Sequence, residues 1–394
     1  MASFDLQKLA RPNILALEPY RCARDDYKVG VLLDANENTH GPSLTEIDEY
    51  EKRQELNRYP DPHQIELKKR MCEFRNQENR DKSLTPLDPS NLFVGVGSDE
   101  AIDAIIRILC VPGKDKLLTC PPTYGMYGVS AQINDVEVVK VNLDFELGSF
   151  GIRPEAINET LANDPSIKLA YLCSPGNPTG SLLKKELIEQ VLNHPTWNGV
   201  VVVDEAYIDF AREGSSFAPL ATKYPNLIVM QTLSKSFGLA GARLGITFSS
   251  KEMASLLNNM KAPYNISTPS SELALRALSP EGIALMKKYV KDIVVQRERL
   301  VEELPKIPGV GAIVGGNESN FLLVQVLDKP DGKPDSDVAK ELYKTLAEKK
   351  NVVIRYRGSE PGCVGCLRIS VGTKGETDVL LTEIKDALKL IQYK

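Results

Sequence analysis

Three short apolar segments constrain the fold of this 394-residue chain more than any other feature. Residues 167–173, 200–203 and 227–230 are apolar and partly β-branched, as strands buried on both faces of a mainly parallel sheet are. Residues 101–110 and 186–192 have helical patterns, and the first of these carries apolar side chains at i, i+3, i+4 and i+7. Strand, loop and helix in succession predict an α/β layered domain with helices packed on the sheet.

The last third of the chain has a different pattern, which predicts a smaller α+β lobe after a boundary near residue 280. A long helix (281–303) is expected first, followed by a glycine-rich break (309–316) and a strand (321–326). A polar loop (328–337), a helix that ends at residue 350 and a second strand (352–355) are expected after them. We therefore divide the chain into three parts: an N-terminal arm that packs on the small lobe (1–45), a large domain (46–280) and a small C-terminal domain (281–394).

Charge and apolar content exclude several classes of protein. A formal net charge of −5 argues against a nucleic-acid or anionic-membrane surface. The first 13 residues lack the apolar core of a signal peptide, and the apolar stretches are far too short to span a bilayer. We expect a cytoplasmic protein that binds neither nucleic acid nor membrane.

The seven cysteines predict reduced thiols rather than disulfides or a metal site. Their number is odd, and most of them lie in apolar segments, as buried free thiols do. Cys363 and Cys366 form a CxxC motif, but a structural zinc would need a second pair or suitably spaced histidines, and the three histidines are far away. We expect no metal.

A lysine stands shortly after the third apolar segment, in the sequence Ser-Lys-Ser at 234–236. A lysine alone is most often a solvated surface charge. Lys235, however, follows a buried strand at the edge where open α/β sheets place their ligands. Desolvation there would remove its charge and make it a nucleophile suited to Schiff-base chemistry with an aldehyde. Ser234 and Arg243 are near enough in sequence to hold a phosphate beside it.

A carboxylate directly follows the second apolar segment. Asp204 is thereby delivered to the same sheet edge as Lys235, although a carboxylate at a strand end is often a helix cap or a metal ligand. A pyridine cofactor gives it a specific task, because an Asp beside the ring nitrogen keeps that nitrogen protonated and the ring able to take up electrons. Tyr207 is three residues further on, where it is placed to donate to a ring oxygen.

Three further segments add candidate residues. Asn177 lies in a Pro-, Gly- and Asn-containing turn after the first apolar segment, so three strand ends converge on one crevice. Residues 95–100 lack the third glycine of a dinucleotide-binding fingerprint, which argues against such a site. Ser98 or Asp99 is either a plain helix N-cap or a residue whose backbone amide receives a phosphate, and both interpretations can hold together. Tyr124 either packs in its loop or stacks on a cofactor ring.

Taken together, these segments resemble those of the fold-type I pyridoxal-phosphate (PLP)-dependent aminotransferases and, within them, of the histidinol-phosphate aminotransferase family. Each motif alone is weak, but their joint order along nearly the whole chain is specific. The matching residues are 17–20, 34–38, 56–60, 97–100, 121–127, 174–180, 204–207, 234–238, 241–245 and 366–372. Two polar segments, 79–91 and 328–337, are longer than in compact members, and Ser98 replaces a frequent Ala, which a backbone contact tolerates.

The resemblance implies a large PLP-binding domain and assigns a role to each candidate. Lys235 is the Schiff-base lysine, Asp204 holds the pyridine nitrogen, Asn177 and Tyr207 bind the ring oxygen, and Tyr124 stacks on the ring. The residues implied for the cofactor phosphate are Ser98 and Asp99, through their backbone amides, with Ser234 and Arg243.

The resemblance also implies a partner subunit and a substrate pocket. Tyr59 matches a tyrosine that reaches the phosphate of the neighbouring subunit, so a homodimer is expected. Arg355 and Arg368 match two small-lobe arginines that bind the substrate's phosphate and, in the other half-reaction, the glutamate side chain. Tyr20 and Asn38 are expected to line the substrate pocket.

The implied reaction belongs to histidine biosynthesis: L-histidinol phosphate and 2-oxoglutarate give imidazole acetol phosphate and L-glutamate. Three alternatives stay open on the sequence. An aromatic or broad-specificity aminotransferase would use the same residues, and a PLP-dependent decarboxylase of an amino-acid phosphate would keep Lys235 but release carbon dioxide. A non-catalytic scaffold on this fold is disfavoured by the intact Lys235, Asp204 and Arg243.

Overall fold

The structure, a computed structural model, describes residues 4–19, 21, 25, 42–43, 46 and 48–392. Its helices are α1 (Leu6–Leu9), α2 (Pro12–Leu15), α3 (Glu49–Arg53), α4 (Ile65–Glu78), α5 (Gly97–Leu109), α6 (Met126–Ile133), α7 (Pro154–Asn163), α8 (Lys185–Leu192), α9 (Lys251–Met260), α10 (Thr268–Ala277), α11 (Pro280–Glu303), α12 (Ser336–Lys349) and α13 (Lys374–Gln392). Its strands are β1 (Leu92–Val96), β2 (Lys116–Thr119), β3 (Glu137–Lys140), β4 (Ile167–Cys173), β5 (Val200–Asp204), β6 (Leu227–Thr232), β7 (Leu244–Phe248), β8 (Val310–Val314), β9 (Phe321–Val326), β10 (Arg355–Tyr356) and β11 (Cys366–Ser370).

The large domain is built on a seven-stranded sheet in the order β1–β7–β6–β5–β4–β2–β3. All of its strands are parallel except β7, which is antiparallel to both β1 and β6. The predicted mainly parallel sheet flanked by helices is therefore confirmed. The three apolar segments that predicted it are β4, β5 and β6, which lie side by side at its centre.

Strand β5 shows why these segments form the centre of the sheet. Side chains alternate between the two faces of a strand, and all four valines of β5 are fully buried. Val201 and Val203 pack in the cluster on one face, which includes Phe217 and Ile188, whereas Val200 and Val202 pack on the other face. A strand with helices on both faces needs apolar side chains at every position, which is the pattern that the sequence shows.

The carboxyl ends of β4, β5 and β6 meet at one edge. Cys173 lies opposite Asp204 in the parallel register, and Asp204 lies opposite Met230. The loop between β6 and β7 then carries Lys235 over the same edge, because Leu233 N donates to Leu244 O at 3.1 Å and closes the base of that loop. The expected crevice therefore lies at the strand ends.

The small domain has a four-stranded antiparallel sheet in the order β10–β11–β9–β8, with α12, α13 and the C-terminal half of α11 packed on it. Strand β9 begins and ends where we expected. Two other predictions for this domain were wrong. The glycine-rich break contains strand β8, since Gly309 and Gly315 bound it at φ 88° and 81° while Val310, Ile313 and Val314 pair with β9.

The second strand expected at residues 352–355 is reduced to Arg355–Tyr356. Val352 N donates to Leu346 O at 3.0 Å, so this backbone is bound to the end of α12 and not to a neighbouring strand. Ile354 is buried in the small-domain core, which explains the apolar pattern without a strand.

The described part of the N-terminal arm packs on the large domain, not on the small lobe as we expected. Leu9, Ala10 and Ile14 belong to the apolar cluster that includes residues of α5 and α9. Arg11 N donates to Ile108 O at 3.0 Å, and Asp5 N donates to Asn198 Oδ1 at 3.0 Å. Apolar burial and backbone hydrogen bonds therefore both tie this part of the arm to the large domain.

The two domains meet beside the crevice. The ring of Tyr207 packs edge-on against Phe321 of β9, with 5.0 Å between the ring centroids. Helix α11 crosses the junction, and Arg297 Nη1 donates to Ser319 O at 3.1 Å and to Phe210 O at 3.4 Å. The boundary expected near residue 280 falls between α10 and α11, and the division into domains stays a proposal.

Thiols, metal ligands and membrane spans were searched within the described residues. The six cysteines found there are free, and all but Cys173 are buried. No group of three or more His, Cys, Asp or Glu side chains in this part of the chain is arranged to hold a metal ion. None of the described helices combines the length and the apolar content that crossing a bilayer requires.

Candidate active site

A cavity of about 350 Å³ lies at the carboxyl ends of the central strands, between the two domains. Eleven of the fourteen predicted site residues line it: Ser98, Asp99, Tyr124, Asn177, Asp204, Tyr207, Ser234, Lys235, Arg243, Arg355 and Arg368. They come from the first turn of α5 and from loops and strands of the large domain, and from β10 and β11 of the small domain. The chain thus brings together residues that are up to 270 positions apart in sequence.

Asp204 is a buried carboxylate at the end of β5, only 3% exposed. Tyr127 donates its hydroxyl to Asp204 Oδ2 at 2.6 Å, and Ala206 N donates to Oδ1 at 3.1 Å. Burial raises the pKa of Asp204 above its usual value despite these two hydrogen bonds. A carboxylate with neutral donors in a buried site is suited to hold a cation brought by a ligand.

Lys235 reaches the same cavity from the β6–β7 loop. Its Nζ lies 5.5 Å from the centroid of the Tyr207 ring. Burial lowers the pKa of Lys235, the cation of Arg368 lowers it further, and Asp204 opposes the shift. A lowered pKa increases the share of neutral amine, which is the form that attacks a carbonyl and accepts a proton.

The first turn of α5 packs tightly against β7 and Arg243. A Cβ added to Gly245 would lie 2.5 Å from Ser98 N, and one added to Gly97 would lie 2.5 Å from Arg243 Nη2. Gly97 also has φ +70°, and its N–H donates to Arg243 O at 3.0 Å. Asp99 Oδ2 holds Arg243 Nη2 at 3.3 Å. The guanidinium therefore lies beside the amino end of a helix, where free N–H groups favour an anion.

The small domain supplies the cationic wall of the cavity. Arg368 Nη1 donates to Asn177 Oδ1 at 2.6 Å, and its guanidinium carbon lies 5.3 Å from the centroid of the Phe321 ring. Arg355 lies directly opposite Arg368 in the antiparallel register of β10 and β11. Burial lowers the pKa of Arg368, and the neighbouring Arg357 cation lowers it further. This wall is suited to a substrate that carries negative charge.

The comparisons with known proteins agree with this geometry. The family model for aminotransferase class I and II matches residues 28–384. The chain belongs to the class I and II aminotransferases. It is 56% identical over 388 residues to a histidinol-phosphate aminotransferase of Schizosaccharomyces pombe and 52% identical over 390 residues to one of Saccharomyces cerevisiae, with 98% of each chain covered in both cases. These identities confirm the predicted membership of the histidinol-phosphate aminotransferase family.

Solved structures show the same fold for this aminotransferase. A histidinol-phosphate aminotransferase of Sinorhizobium meliloti, in complex with pyridoxal-5'-phosphate, has a TM-score of 0.74 at 24% identity. The likeness covers 91% of this chain and 90% of that one. The fold-type I architecture expected from the sequence is thereby confirmed.

Three predicted site residues of the aminotransferase are not among the described residues that line the cavity. Tyr20 and Asn38 lie outside the described residues. Tyr59 is 53% exposed and stacks on Tyr264, with 4.6 Å between the ring centroids. Its expected role in a neighbouring subunit stays a prediction.

The expected helix caps need correction. Helix α5 begins at Gly97, and its N-cap residue, Val96, makes no side-chain cap hydrogen bond. Ser98 and Asp99 lie inside the first turn, so neither is an N-cap. The carboxylate of Asp99 instead contacts Arg243 and accepts a 3.3 Å hydrogen bond from the Tyr124 hydroxyl.

Sequence reasoning missed two side chains of the site. The first is Tyr127, which is fully buried and donates its hydroxyl to Asp204. The predicted Tyr124 lies edge-on to Tyr127 and lines the cavity. Tyr124 precedes α6 and Tyr127 lies in its first turn, so no helical spacing in the sequence signalled the second tyrosine. Arg357 also lines the cavity, and its signal is the Arg-x-Arg spacing with Arg355, which puts both side chains on one face of an extended segment.

Proposed function

We propose that this aminotransferase transfers the amino group of L-histidinol phosphate to 2-oxoglutarate, with PLP bound through Lys235. The observation that carries the proposal is one cavity in which Lys235, with a lowered pKa, lies near buried Asp204 and a wall of arginines. Identities of 52–56% to histidinol-phosphate aminotransferases over nearly the full chain support the substrate.

The chemistry of the cavity fits PLP at both ends of the cofactor. Asp204 is suited to the protonated ring nitrogen, and Tyr207 to a ring oxygen. At the other end, the absence of a Cβ at Gly97 and Gly245 brings the first-turn amides of α5 close to Arg243, which suits a phosphate. Bound PLP supplies an aldehyde that takes the amino group and a ring that accepts the electron pair released from the substrate carbon.

The residues of the chain then handle the proton and the charge. Lys235 Nζ, whose pKa is lowered by burial, would act as the general base that takes the proton from the substrate carbon bearing the amino group and as the acid that delivers a proton to the aldehyde carbon of the cofactor. Asp204 stabilises positive charge at the ring nitrogen, an electrostatic contribution that we expect to be the largest single one. Asn177 fixes Arg368 and thereby the substrate end of the cavity.

The arginine wall suits both half-reactions. L-Histidinol phosphate carries its negative charge on the phosphate, and glutamate carries carboxylates. A guanidinium grips either group with two parallel hydrogen bonds, so Arg355 and Arg368 can serve each substrate in turn. L-Histidinol phosphate has no carboxyl group to lose, so decarboxylation is not open to it.

We further propose that the protein works as a homodimer in the cytoplasm. Tyr59 is exposed and is not among the described residues that line the cavity of its own chain, which supports a role at the phosphate of a second subunit. Expression of a fluorescent fusion tests the location. A cytoplasmic signal is expected, and confinement to an organelle would contradict this part of the proposal.

Donor profiling tests the proposed reaction against its rivals. Purified protein with PLP and 2-oxoglutarate receives L-histidinol phosphate, phenylalanine, tyrosine or an amino-acid phosphate, and glutamate and carbon dioxide are both quantified. We expect glutamate with L-histidinol phosphate at a kcat/KM well above that of the aromatic donors. Equal rates with phenylalanine would favour the broad-specificity aminotransferase, and carbon dioxide from an amino-acid phosphate would favour the decarboxylase.

A further inference from the structure

Three arginines, not two, face the cavity from the edge of the small-domain sheet. Arg355 and Arg357 are two residues apart, and Arg357 N donates to Cys366 O at 2.9 Å, so the extended pairing with β11 continues past Tyr356. Side chains two residues apart on an extended strand lie on the same face, and Arg368 lies opposite Arg355 on that face. The three guanidinium groups therefore line one wall.

The contacts of Arg357 leave part of its guanidinium for a ligand. Its Nη1 donates to Glu360 Oε1 at 2.8 Å, and its side chain is 22% exposed. Its Nε is buried and has no hydrogen-bond partner among the residues that the structure describes, and the same is true of Arg368 Nε. A buried N–H without a partner is costly, so two such groups on one wall favour an acceptor-rich ligand.

The charge on this wall fits a doubly charged group. Arg355, Arg357 and Arg368 contribute three positive charges and Glu360 contributes one negative charge, which leaves a net charge of +2. A phosphate monoester carries about −1.5 to −2 charges at pH 7, whereas a carboxylate carries one. Arg355 and Arg368 alone already suffice for a carboxylate gripped by two guanidinium groups.

We propose that Arg357, held by Glu360, is a specificity-determining residue that favours a dianionic phosphate over a carboxylate in the substrate pocket. The inference rests on the proposed function, since it concerns the phosphate of that donor. Arg357 contributes a third guanidinium whose charge and hydrogen bonds are needed by the phosphate and not by glutamate. Glu360 orients the side chain and keeps the wall from carrying an excess of positive charge.

Separate measurement of the two half-reactions tests this inference. PLP-loaded protein receives L-histidinol phosphate, and pyridoxamine-phosphate-loaded protein receives 2-oxoglutarate, in stopped-flow absorbance experiments with wild type, Arg357→Gln and Arg357→Lys. Loss of a charge-assisted hydrogen bond predicts that Arg357→Gln lowers kcat/KM for histidinol phosphate by about 10- to 100-fold. The reaction with 2-oxoglutarate should change by less than about threefold, and Arg357→Lys, which keeps the charge, should lie between.

Two controls separate substrate recognition from a general effect on the lobe. Arg299→Gln removes another partly exposed arginine of the small domain, paired with Glu303 and Asp378 outside the cavity, and should leave both half-reactions unchanged. L-Histidinol, which lacks the phosphate, should react equally with wild type and Arg357→Gln.

The outcomes distinguish this inference from the proposed function. An equal loss in both half-reactions, or an equal loss with L-histidinol, would overturn the role of Arg357 while the proposed function stands. A wild-type protein that does not react with L-histidinol phosphate would overturn the proposed function, and the inference would fall with it. If Arg357→Gln does not fold, as judged by its melting temperature, Arg357→Lys provides the test. The quantity compared is kcat/KM for L-histidinol phosphate divided by kcat/KM for 2-oxoglutarate, and a value equal to that of wild type contradicts the inference.

Discussion

Asp204 is a carboxylate in a place where a carboxylate alone is unfavourable. Its hydrogen-bond donors, the Tyr127 hydroxyl and the Ala206 amide, carry no charge, and burial raises its pKa. A protonated pyridine nitrogen beside it would turn this desolvation cost into a buried ion pair with hydrogen bonds already in place. The environment of Asp204 therefore suits a cationic ligand, and we expect the buried carboxylate to add nothing to the stability of the fold.

Asp204→Asn should therefore reduce kcat and leave the cofactor bound. The amide keeps the shape of the side chain but loses the charge that stabilises a protonated ring, and removal of such an electrostatic contact costs about 10²- to 10³-fold in kcat. Steady-state kinetics measure the loss, and borohydride reduction followed by peptide mapping checks that the cofactor is still on Lys235. Tyr127→Phe, which removes a neutral donor from the same carboxylate, should cost less than about tenfold. A kcat of Asp204→Asn within threefold of wild type would contradict the role of the carboxylate.

At the scale of elements, the close approach of α5 and β7 depends on glycine. Gly245→Ala would place a Cβ 2.4 to 2.5 Å from the backbone of Gly97 and Ser98, so the first turn of α5 must move. Overpacking of this kind costs about 1–3 kcal/mol of stability. It would also displace the backbone amides of the first turn of α5, which are expected to hold the cofactor phosphate.

We expect Gly245→Ala to lower both the melting temperature and the affinity for PLP, measured by absorbance titration. Gly241→Ala is the matched control, because the Cβ added there meets nothing within 4 Å. If both variants bind PLP like wild type, the packing of α5 on β7 does not control the phosphate site.

A buried polar network lies behind the ends of β5 and β6. Glu205 accepts hydrogen bonds from Ser216 Oγ at 2.6 Å and from Gln231 Nε2 at 2.7 Å, and Gln231 Oε1 accepts one from Arg75 Nε at 2.7 Å. Arg75 continues to Asp209 at 2.8 Å. The network joins α4 to the end of β5, where Asp204 lies, and to β6, which leads into the loop that carries Lys235.

This network predicts a pH-dependent contribution to stability. Burial raises the pKa of Glu205 from 4.5 to about 7, so the protonated form is favoured in the folded state. The stabilising contribution of Glu205 is complete below pH 4.5, its ordinary pKa in the unfolded chain, and is lost as the pH rises through about 7. The free energy of unfolding should fall by up to roughly 3 kcal/mol over this range. Urea unfolding at pH 5 and pH 8 measures it. Relative to Glu205→Gln, the wild type should lose stability at pH 8, and parallel pH profiles of the two proteins would contradict the prediction.

Elements were predictable from sequence where most of a strand is buried on both faces. Strand β4 begins and ends at the expected residues, because apolar segments buried on both faces leave no ambiguity. Residues 352–355 were not predictable in the same way, since an apolar pattern there serves core packing by Ile354 without strand pairing. The Arg-x-Arg spacing relates Arg357 to Arg355, but spacing alone did not place Arg357 at the cavity, because that depends on the pairing of β10 with β11.

At the scale of the whole molecule, the site lies at the junction of two domains. The large domain supplies Lys235 and Asp204 from neighbouring strand ends, and the small domain supplies the arginine wall. The packing of Tyr207 on Phe321 connects the two sides. The strand-end residues were predictable because parallel strands end at one edge. The small-domain arginines were predicted only from the resemblance, and the hydrogen bond between Arg368 and Asn177 was not predicted, since no sequence spacing relates the two residues.

The proposed dimer gives a prediction for Tyr59. If its hydroxyl reaches the cofactor phosphate of a second subunit, Tyr59→Phe loses a hydrogen bond to a charged group and should weaken PLP binding by about 10-fold or more. Tyr289→Phe is the control, because Tyr289 is also 53% exposed. Sedimentation should give the mass of two 43.5 kDa chains for all three proteins. A monomeric wild type that binds PLP fully would contradict the shared site.

The measurement that tests the central claim most directly follows nitrogen from donor to acceptor. Purified protein with PLP receives L-histidinol phosphate labelled with ¹⁵N in its amino group, together with 2-oxoglutarate, and the glutamate formed is analysed by mass spectrometry. We predict labelled glutamate at stoichiometry with the consumed donor, and none with Lys235→Ala. Absence of labelled glutamate from the wild type, or the same labelled glutamate from Lys235→Ala, would contradict the account.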